Sequence, residues 1–499
     1  MKHGTGMPKK DFTILLISSI LLSTLTLWLI EDPLKYTFYI YEVAGIIVTY
    51  IVLSNDKTIE FKIKIKYVDL LALATAVIFS LNIYLPTTPL LKTLTTLTLI
   101  SLIPGYTLTR LTKLDEKFSP LEILLLSFIL SHIYTGLLWA LLLPLQIETR
   151  KIILLLSIIF PTLTLFLKQS KRKYYTVNGT LGETLTLLYV TSFIILIWLT
   201  LYPGYGLIPN TDYARHYAFS IIVGRTPNLY ITYPYVLFHL HESAFIYLIE
   251  TNLATIQQTF YLLNFFLLIA FYVMSKNYLK DLNPRLPQLS VILYTVSGSF
   301  AWIVTTMLKI EGFEGTPLSM IAITDDKTFL SVSYPSKPIL WHYPITTSFT
   351  ILMTQLTLIK KRNLDRKTFL ILFTLLTTAS FLTHLTEAII LSLFLAFYQL
   401  LIVDDEGRIR DAVLASAMGL AIATLLPLTL VFLYGFQLSQ ILFSNITTLS
   451  ALIFAYTYSL SKKMKSITKK LLEKIRKKRV VIIEIPLFVY ILAILTWFT

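Results

Sequence analysis

The chemistry this sequence offers is concentrated in Pro209-Asn210-Thr211-Asp212-Tyr213-Ala214-Arg215-His216, followed by Tyr217-Ala218-Phe219. Asn210 or Thr211 suits a helix N-cap. Asp212 then lies in the first turn, with Arg215 and His216 three and four positions on, on the same face. A carboxylate so placed can accept a proton from a hydroxyl or hold a cation. The two cations can bind a phosphate, the guanidinium in bidentate fashion. A plainer alternative is an acid favoured by the helix dipole and paired locally with Arg215. Ala218, Phe219, Ile221, Ile222 and Val223 give this helix an apolar side for a membrane surface. Close by stands Tyr233-Pro234-Tyr235-Val236-Leu237-Phe238-His239-Leu240-His241-Glu242. Pro234 suits the first turn of a helix. His239 and His241 cannot share one helical face, so they make a poor pair of metal ligands.

The elements that must position these residues are membrane helices. Of 499 residues, 55% are hydrophobic and only 14% charged, where a soluble domain carries about 25% charged residues. Apolar runs of the length needed to cross a bilayer recur from Phe12 onward. The class expected is all-α, a polytopic transmembrane helical bundle of about 15 spans. They are placed near 12–30, 36–54, 67–85, 89–107, 121–143, 149–167, 183–202, 254–274, 288–307, 345–360, 368–384, 386–403, 411–433, 441–460 and 480–498. A soluble enzyme, a disordered chain and a ten-residue-alternating outer-membrane barrel are excluded. The chain has no Cys, hence no disulfide and no thiol chemistry.

The excess of 43 Lys and Arg over 28 Asp and Glu is read as a topology signal, and no nucleic-acid partner is expected. With the N-terminus cytoplasmic, alternation puts the basic loops inside: Lys57 to Lys66, Arg110 to Lys117, Lys168 to Lys173, Lys276 to Arg285, Lys360 to Lys367, Arg408 to Arg410 and Lys462 to Arg479. The last of these reads as an amphipathic helix beside anionic headgroups. Counting Thr232 to Ile249 as a span would reverse every later loop. It is therefore read as a helix lying at the outer interface, in keeping with His239, His241, Glu242 and four nearby Tyr. His132, His384 and Glu387 are the main ionisable residues within or beside spans. Proton-coupled transport would call for more of them at mid-membrane. Two long outer segments, 203–253 and 308–344, hold most of the remaining acid–base groups, and long ordered loops are commonly functional.

In these residues the chain resembles the GT-C superfamily of integral-membrane glycosyltransferases. The resemblance rests on Asp212, Arg215 and His216 after a span, then Tyr233, Pro234 and His239, then the span ending near Lys276. Phe381-Leu382-Thr383-His384-Leu385-Thr386-Glu387 resembles a later outer-side His turn of prokaryotic members. The match covers Gly182 to Leu401. Residues 1–180 are read as a six-span module, 181–403 as the GT-C-like core, and 404–499 as further spans with the basic helix 462–479. Pro104-Gly105-Tyr106, Arg110 and Asp115 through Glu122 resemble a module of large archaeal membrane proteins. The abundance of Ile, Leu, Lys and Tyr also fits a thermophilic archaeon.

The resemblance implies a multi-pass protein of the plasma membrane. It implies transfer of a sugar from a polyprenyl-phosphate or polyprenyl-diphosphate donor to a glycan or protein acceptor on the extracytoplasmic face, with inversion. Asp212 would be the general base or a ligand of a divalent cation (Mg or Mn). Arg215, His216 and Arg225 would face the leaving phosphate. Tyr233, His239, His342, His384 and Glu387 would line the substrate site, and membrane lipids would surround the greasy helices. Some members carry an Asp-x-Asp pair in a later outer loop; here the adjacent Asp325 and Asp326 are the candidates for sharing a metal with Asp212, or else form a solvated turn. Trp341-His342-Tyr343-Pro344 reads also as an aromatic anchor. The competing expectations are a transporter or flippase of lipid-linked glycans and a noncatalytic scaffold related to these enzymes.

Overall fold

A computed structural model describes residues 17–18, 21, 35–54, 57–84, 88–142, 159, 162–163, 172–205, 211–225, 235–249, 253–296, 342, 344–401, 407–434 and 441–461. It is mostly helical (86%). Among the described residues three helices are long and apolar enough to cross a membrane, over Ile65–Asn82, Pro120–Leu142 and Ala254–Leu279. Shorter apolar helices accompany them. The expected spans near 12–30, 149–167 and 480–498, the basic helix 462–479 and nearly all of the loop 308–344 lie outside the described residues, a few scattered positions aside.

The elements run α1 (Lys35–Ser54), β1 (Thr58–Lys64), α2 (Ile65–Tyr84), α3 (Pro89–Ser101), α4 (Ile103–Leu111), α5 (Pro120–Leu142), β2 (Tyr174–Thr180) and α6 (Leu181–Tyr205). They continue as α7 (Thr211–Arg225), α8 (Val236–Ile249), α9 (Leu253–Tyr261), α10 (Asn264–Leu279) and α11 (Leu286–Val296). The remainder are α12 (Pro344–Lys360), α13 (Arg366–Thr383), α14 (Leu385–Leu401), α15 (Gly407–Tyr434) and α16 (Ile441–Leu460). The larger hydrophobic core runs from Tyr41 to Ala455, and a smaller one gathers Trp139, Val223, Leu240 and Ala244.

The strands depart from the all-α expectation. β1 and β2 pair antiparallel, with Phe61 opposite Val177 and Ile63 opposite Tyr175. The alternation Ile59, Phe61, Ile63 against Glu60, Lys62, Lys64 is the period of a two-faced strand. Each strand runs directly into a helix. At the start of α6 the Thr180 hydroxyl accepts from the Glu183 N–H at 3.1 Å, while the Glu183 carboxylate accepts from the Thr180 N–H at 3.0 Å, a reciprocal cap.

Charged residues gather the basic loops at one end of the bundle. Arg110 donates to Asp115 at 2.6 Å and to Asp69 at 3.4 Å, and Tyr106 donates to Asp69 at 2.7 Å. Arg172 donates to the carbonyls of Asp115 and Phe118, both at 2.8 Å. Lys117 reaches Asp365 at 2.5 Å, Lys361 pairs with Glu122, Arg366 grips Asp411 at 3.0 Å, and Lys276 meets Glu183 at 2.6 Å. Asp365 also caps α13, accepting from the Thr368 N–H at 2.9 Å. The ammonium of Lys117, with that cap, holds its carboxyl well below the usual carboxylate range. Loops far apart in sequence are thereby tied into one polar layer.

The Pro104-Gly105-Tyr106 segment has a packing explanation. A Cβ on Gly105 would sit 1.9 Å from the Ser127 carbonyl oxygen and 2.7 Å from the Ser131 nitrogen. The backbones of α4 and α5 meet there, and the Gly105 N–H donates to the Ser131 hydroxyl at 2.8 Å. Replacing a helical Gly by Ala ordinarily gains about 1 kcal/mol. Gly105→Ala is expected instead to cost about 1–3 kcal/mol, the range for overpacking, read as a lowered Tm in detergent. Gly407→Ala, whose Cβ meets only the end of Arg410 at 3.5 Å, should leave the Tm unchanged or raised.

Candidate functional site

α7 begins at Thr211, as its capping residues predict, and places Asp212 in its first turn. The side chains of Asp212 and Arg225 lie outside the described residues, as do Tyr233, Asp325 and Asp326. The inward stripe of α7 is His216, Ser220 and Val223, at 6%, 0% and 1% exposure. Arg215, Ala218 and Ile222 face outward. Arg215 and His216 therefore do not share a face, contrary to the expectation from spacing: one turns to the exterior and the other into the bundle.

α8 is the larger surprise. The sequence alone lays it at the outer interface, with His239, His241 and Glu242 as the support. It is instead enclosed by α3, α5, α7 and α13, and His239, His241 and Glu242 are at most 1% exposed. Gly136 of α5 permits this approach, since a Cβ there would fall 2.5 Å from Leu237 Cδ1. The indole N–H of Trp139 donates to the Ser243 hydroxyl at 3.0 Å and fixes the same contact. The physical reason is pairing. Polar groups that would be costly alone in an apolar interior find partners on the neighbouring helices.

Those partners divide by face, as the helical geometry of positions 239 and 241 requires. Toward α7, Ser220 Oγ lies 2.5 Å from Glu242 Oε2 and 2.9 Å from His239 Nδ1, and His239 Nε2 lies 3.3 Å from His216 Nδ1. Toward α3 and α5, His241 Nε2 lies 3.2 Å from Ser101 Oγ, and its ring meets His132 edge-on at 5.0 Å. His132 Nε2 in turn is 3.0 Å from Thr383 Oγ1 at the end of α13. His342 Nδ1 sits 2.9 Å from Asn264 Oδ1, with Thr347 Oγ1 at 3.3 Å from its other nitrogen. Burial, reinforced by nearby His241, pushes His342 down to about 3, so it is a neutral hydrogen-bonding ring.

His384 is the C-cap of α13, and its Nδ1 pairs with Glu387 in the first turn of α14. Its ring stacks on Tyr235 at 4.9 Å and 9°. Tyr235 also meets His216 at 5.4 Å, joining the α13–α14 turn to α7. Phe238 then bridges His216 to His342, with centroids at 6.2 and 5.7 Å. Phe260 bridges His342 to His241, at 5.7 and 5.8 Å. The structure thus brings His132, His216, His239, His241, His342 and His384 into one imidazole and aromatic cluster. α13 starts in the basic layer at Arg366 and ends at Thr383, so at 1.5 Å per residue His384 stands about 27 Å from that layer.

Several expectations change accordingly. His239 and His342 were candidates for direct substrate contact. Both are sealed in the cluster at 0% and 2% exposure and support their neighbours. Glu387, also 2% exposed, serves His384. Ser220, Asn264 and Thr383 were not expected. Ser220 had one legible signal, its position one turn beyond His216. The Ser220 hydroxyl has the company of a His and a Glu, but it is fully buried and in contact with His239 Nδ1, Glu242 Oε2 and the His216 carbonyl, the last at 3.1 Å. It is no exposed nucleophile. Among the described residues no three His, Asp or Glu stand close enough to share a metal ion. The carboxylates expected to do so lie outside the described side chains.

No family model, curated protein or solved structure matches the chain.

The His384–Glu387 pair sets a test of this architecture. His384→Ala would leave the buried Glu387 carboxylate without its imidazole, at an expected cost of about 1–3 kcal/mol. Glu387→Ala should cost similarly. In a double-mutant cycle the double variant should cost clearly less than the sum, whereas additive losses in Tm would deny the coupling.

Proposed function

We propose that this chain is a membrane glycosyltransferase. It moves a sugar from a polyprenyl-(di)phosphate donor to an acceptor hydroxyl on the extracytoplasmic face. The observation that carries the reading is the seating of α7. His216 and Ser220 hold it on a buried polar helix at the end of the bundle remote from the basic layer, with Asp212 in its first turn and Arg215 facing outward. The basic layer is the cytoplasmic end by the positive-inside rule, which makes the His384 end extracytoplasmic.

In this reading the acceptor oxygen attacks the anomeric carbon, Asp212 takes the hydroxyl proton, and the lipid phosphate leaves with the bonding electrons. One displacement inverts the configuration. Arg215 is the exposed guanidinium nearest in sequence to Asp212, and a bidentate contact to the departing phosphate suits it. His216 acts from behind α7, turned away from Arg215.

A transporter reading has one observation in its favour, the fully buried His132 midway along α5 beside His241. Against it, the buried hydroxyls of α12 and α13 find partners within the bundle, some on their own helices and some across helices, as Thr374 does at the Ala415 carbonyl and Ser348 at Ser380. Thr350, Thr354, Thr357 and Thr377 each donate to the carbonyl four residues before, at 2.8 to 3.0 Å.

Two measurements test the proposal. Asp212→Asn and Arg215→Ala, assayed in membranes against a panel of polyprenyl-phosphate sugars, should each lower transfer at least about 100-fold, the scale of a lost general base or charge clamp. Undiminished transfer by both variants rejects the site. The natural absence of Cys permits single-cysteine labelling in intact cells. A membrane-impermeant maleimide should label Arg215→Cys and spare Arg362→Cys, and the reverse pattern would invert the orientation.

A further inference from the structure

Glu242, Ser220, His239 and His216 form an unbroken line of hydrogen-bonding atoms from the interior to the turn of α7 that follows Asp212. The separations are 2.5, 2.9 and 3.3 Å. All four are buried, Glu242, Ser220 and His239 at 0–1% exposure and His216 at 6%, and His216 is the end of the line that lies one helical turn from Asp212. A serine hydroxyl has one hydrogen to give. With Glu242 ionised, that hydrogen goes to the carboxylate and His239 Nδ1–H donates to Ser220 Oγ. His239 Nε2 is then bare and accepts from His216 Nδ1–H. With Glu242 protonated, every one of these bonds reverses and His216 carries its hydrogen on Nε2. The two arrangements use the same heavy atoms and differ by one proton, added at His216 and stored at Glu242.

We propose that these four residues are a proton relay, with His216 as the entry, His239 and Ser220 as carriers and Glu242 as the buried acceptor. The link to chemistry rests on the transferase reading above. As the acceptor oxygen bonds to the anomeric carbon and the bond to the lipid phosphate breaks, the hydroxyl proton taken at Asp212 passes to His216, one helical turn on. Each member hands one proton inward and Glu242 ends protonated. The reverse run returns that proton once the phosphate has left.

Among the described residues, other titratable groups stand around the line, and His239 also meets the His216 backbone. Tyr217 of α7 faces Glu242, and Tyr235 flanks His216 and His239 through its ring. His132 of α5 faces His241 on the other side of α8. Lys92 of α3 reaches the Ile249 carbonyl at the far end of α8.

The experiment follows His216 by 15N NMR in the full-length, histidine-labelled protein, with its signal identified by loss in His216→Gln. In Ser220→Ala and in Glu242→Gln the acid titration of His216 should move by about one pH unit, a tenfold change in proton affinity. Ser220→Thr, which keeps the hydroxyl, should restore it. A His216 titration that moves in neither variant overturns the relay. Sugar transfer is measured alongside. Ser220→Ala should lower kcat about tenfold or more with the donor KM unchanged and the pH profile displaced, within the range of general acid–base effects, and Ser220→Thr should recover it. If transfer occurs and its pH profile ignores both substitutions, the relay falls and the transferase reading stands. If no donor supports transfer while the His216 titration still follows Ser220 and Glu242, the transferase reading falls and the relay stands.

Discussion

The interior of this bundle is apolar, and a polar group placed there must be met by another. α8 carries His239, Glu242 and His241 into that interior on two different faces. Its position is therefore not adjustable by simple sliding. One face has to meet Ser220 and His216 of α7, and the other has to meet Ser101 of α3 and His132 of α5. A loss of register on either side would strand ionisable groups in a medium that cannot solvate them. The glycine at 136 and the indole of Trp139 then let α8 approach α5 closely enough to complete both sets of contacts.

The same rule works at the other end of the molecule. There the loops are rich in cations, and carboxylates at or near helix starts answer them. Glu122, Glu183 and Asp365 each satisfy backbone N–H groups at an N-terminus and each pair with a lysine brought from elsewhere in the chain. One side chain thus does two tasks, closing a helix end and joining two loops. Arg110, buried between Asp69 and Asp115, is the version of this with least access to water. Removing either kind of partner would leave a charge uncompensated, which costs more than the pair itself contributes.

Between these layers the buried hydroxyls of α12 and α13 are met inside the bundle, Thr350, Thr354, Thr357 and Thr377 by their own helices and Thr374 and Ser348 by neighbouring ones. The polar chemistry available for function is therefore displaced toward the far end, where α7, the start of α8 and the α13–α14 turn meet around Tyr235. His384 and Glu387 tie down one side of that meeting and the Ser220 cluster the other. A rigid support of this kind is what a first-turn carboxylate on α7 would need if it is to hold a hydroxyl in one geometry.

Much of this was legible in the residues. Low charge and long apolar runs announce a helical protein with helices long and apolar enough to cross a membrane. The start of α7 fell at its capping signal, Thr211. The sequence also marked Asp212 to His216 and the Phe381 to Glu387 turn as polar islands. It did not determine that α8 is swallowed by the bundle, because an apolar helix with three polar residues has the same pattern at an interface and in a paired interior. Nor did it determine the company of Ser220, or the gathering of six histidines from five separate stretches of chain. Those depend on which helices are neighbours. That choice is made by close approaches such as Gly105 and Gly136 and by the need to pair every buried polar group, a condition on the whole assembly that no local spacing records.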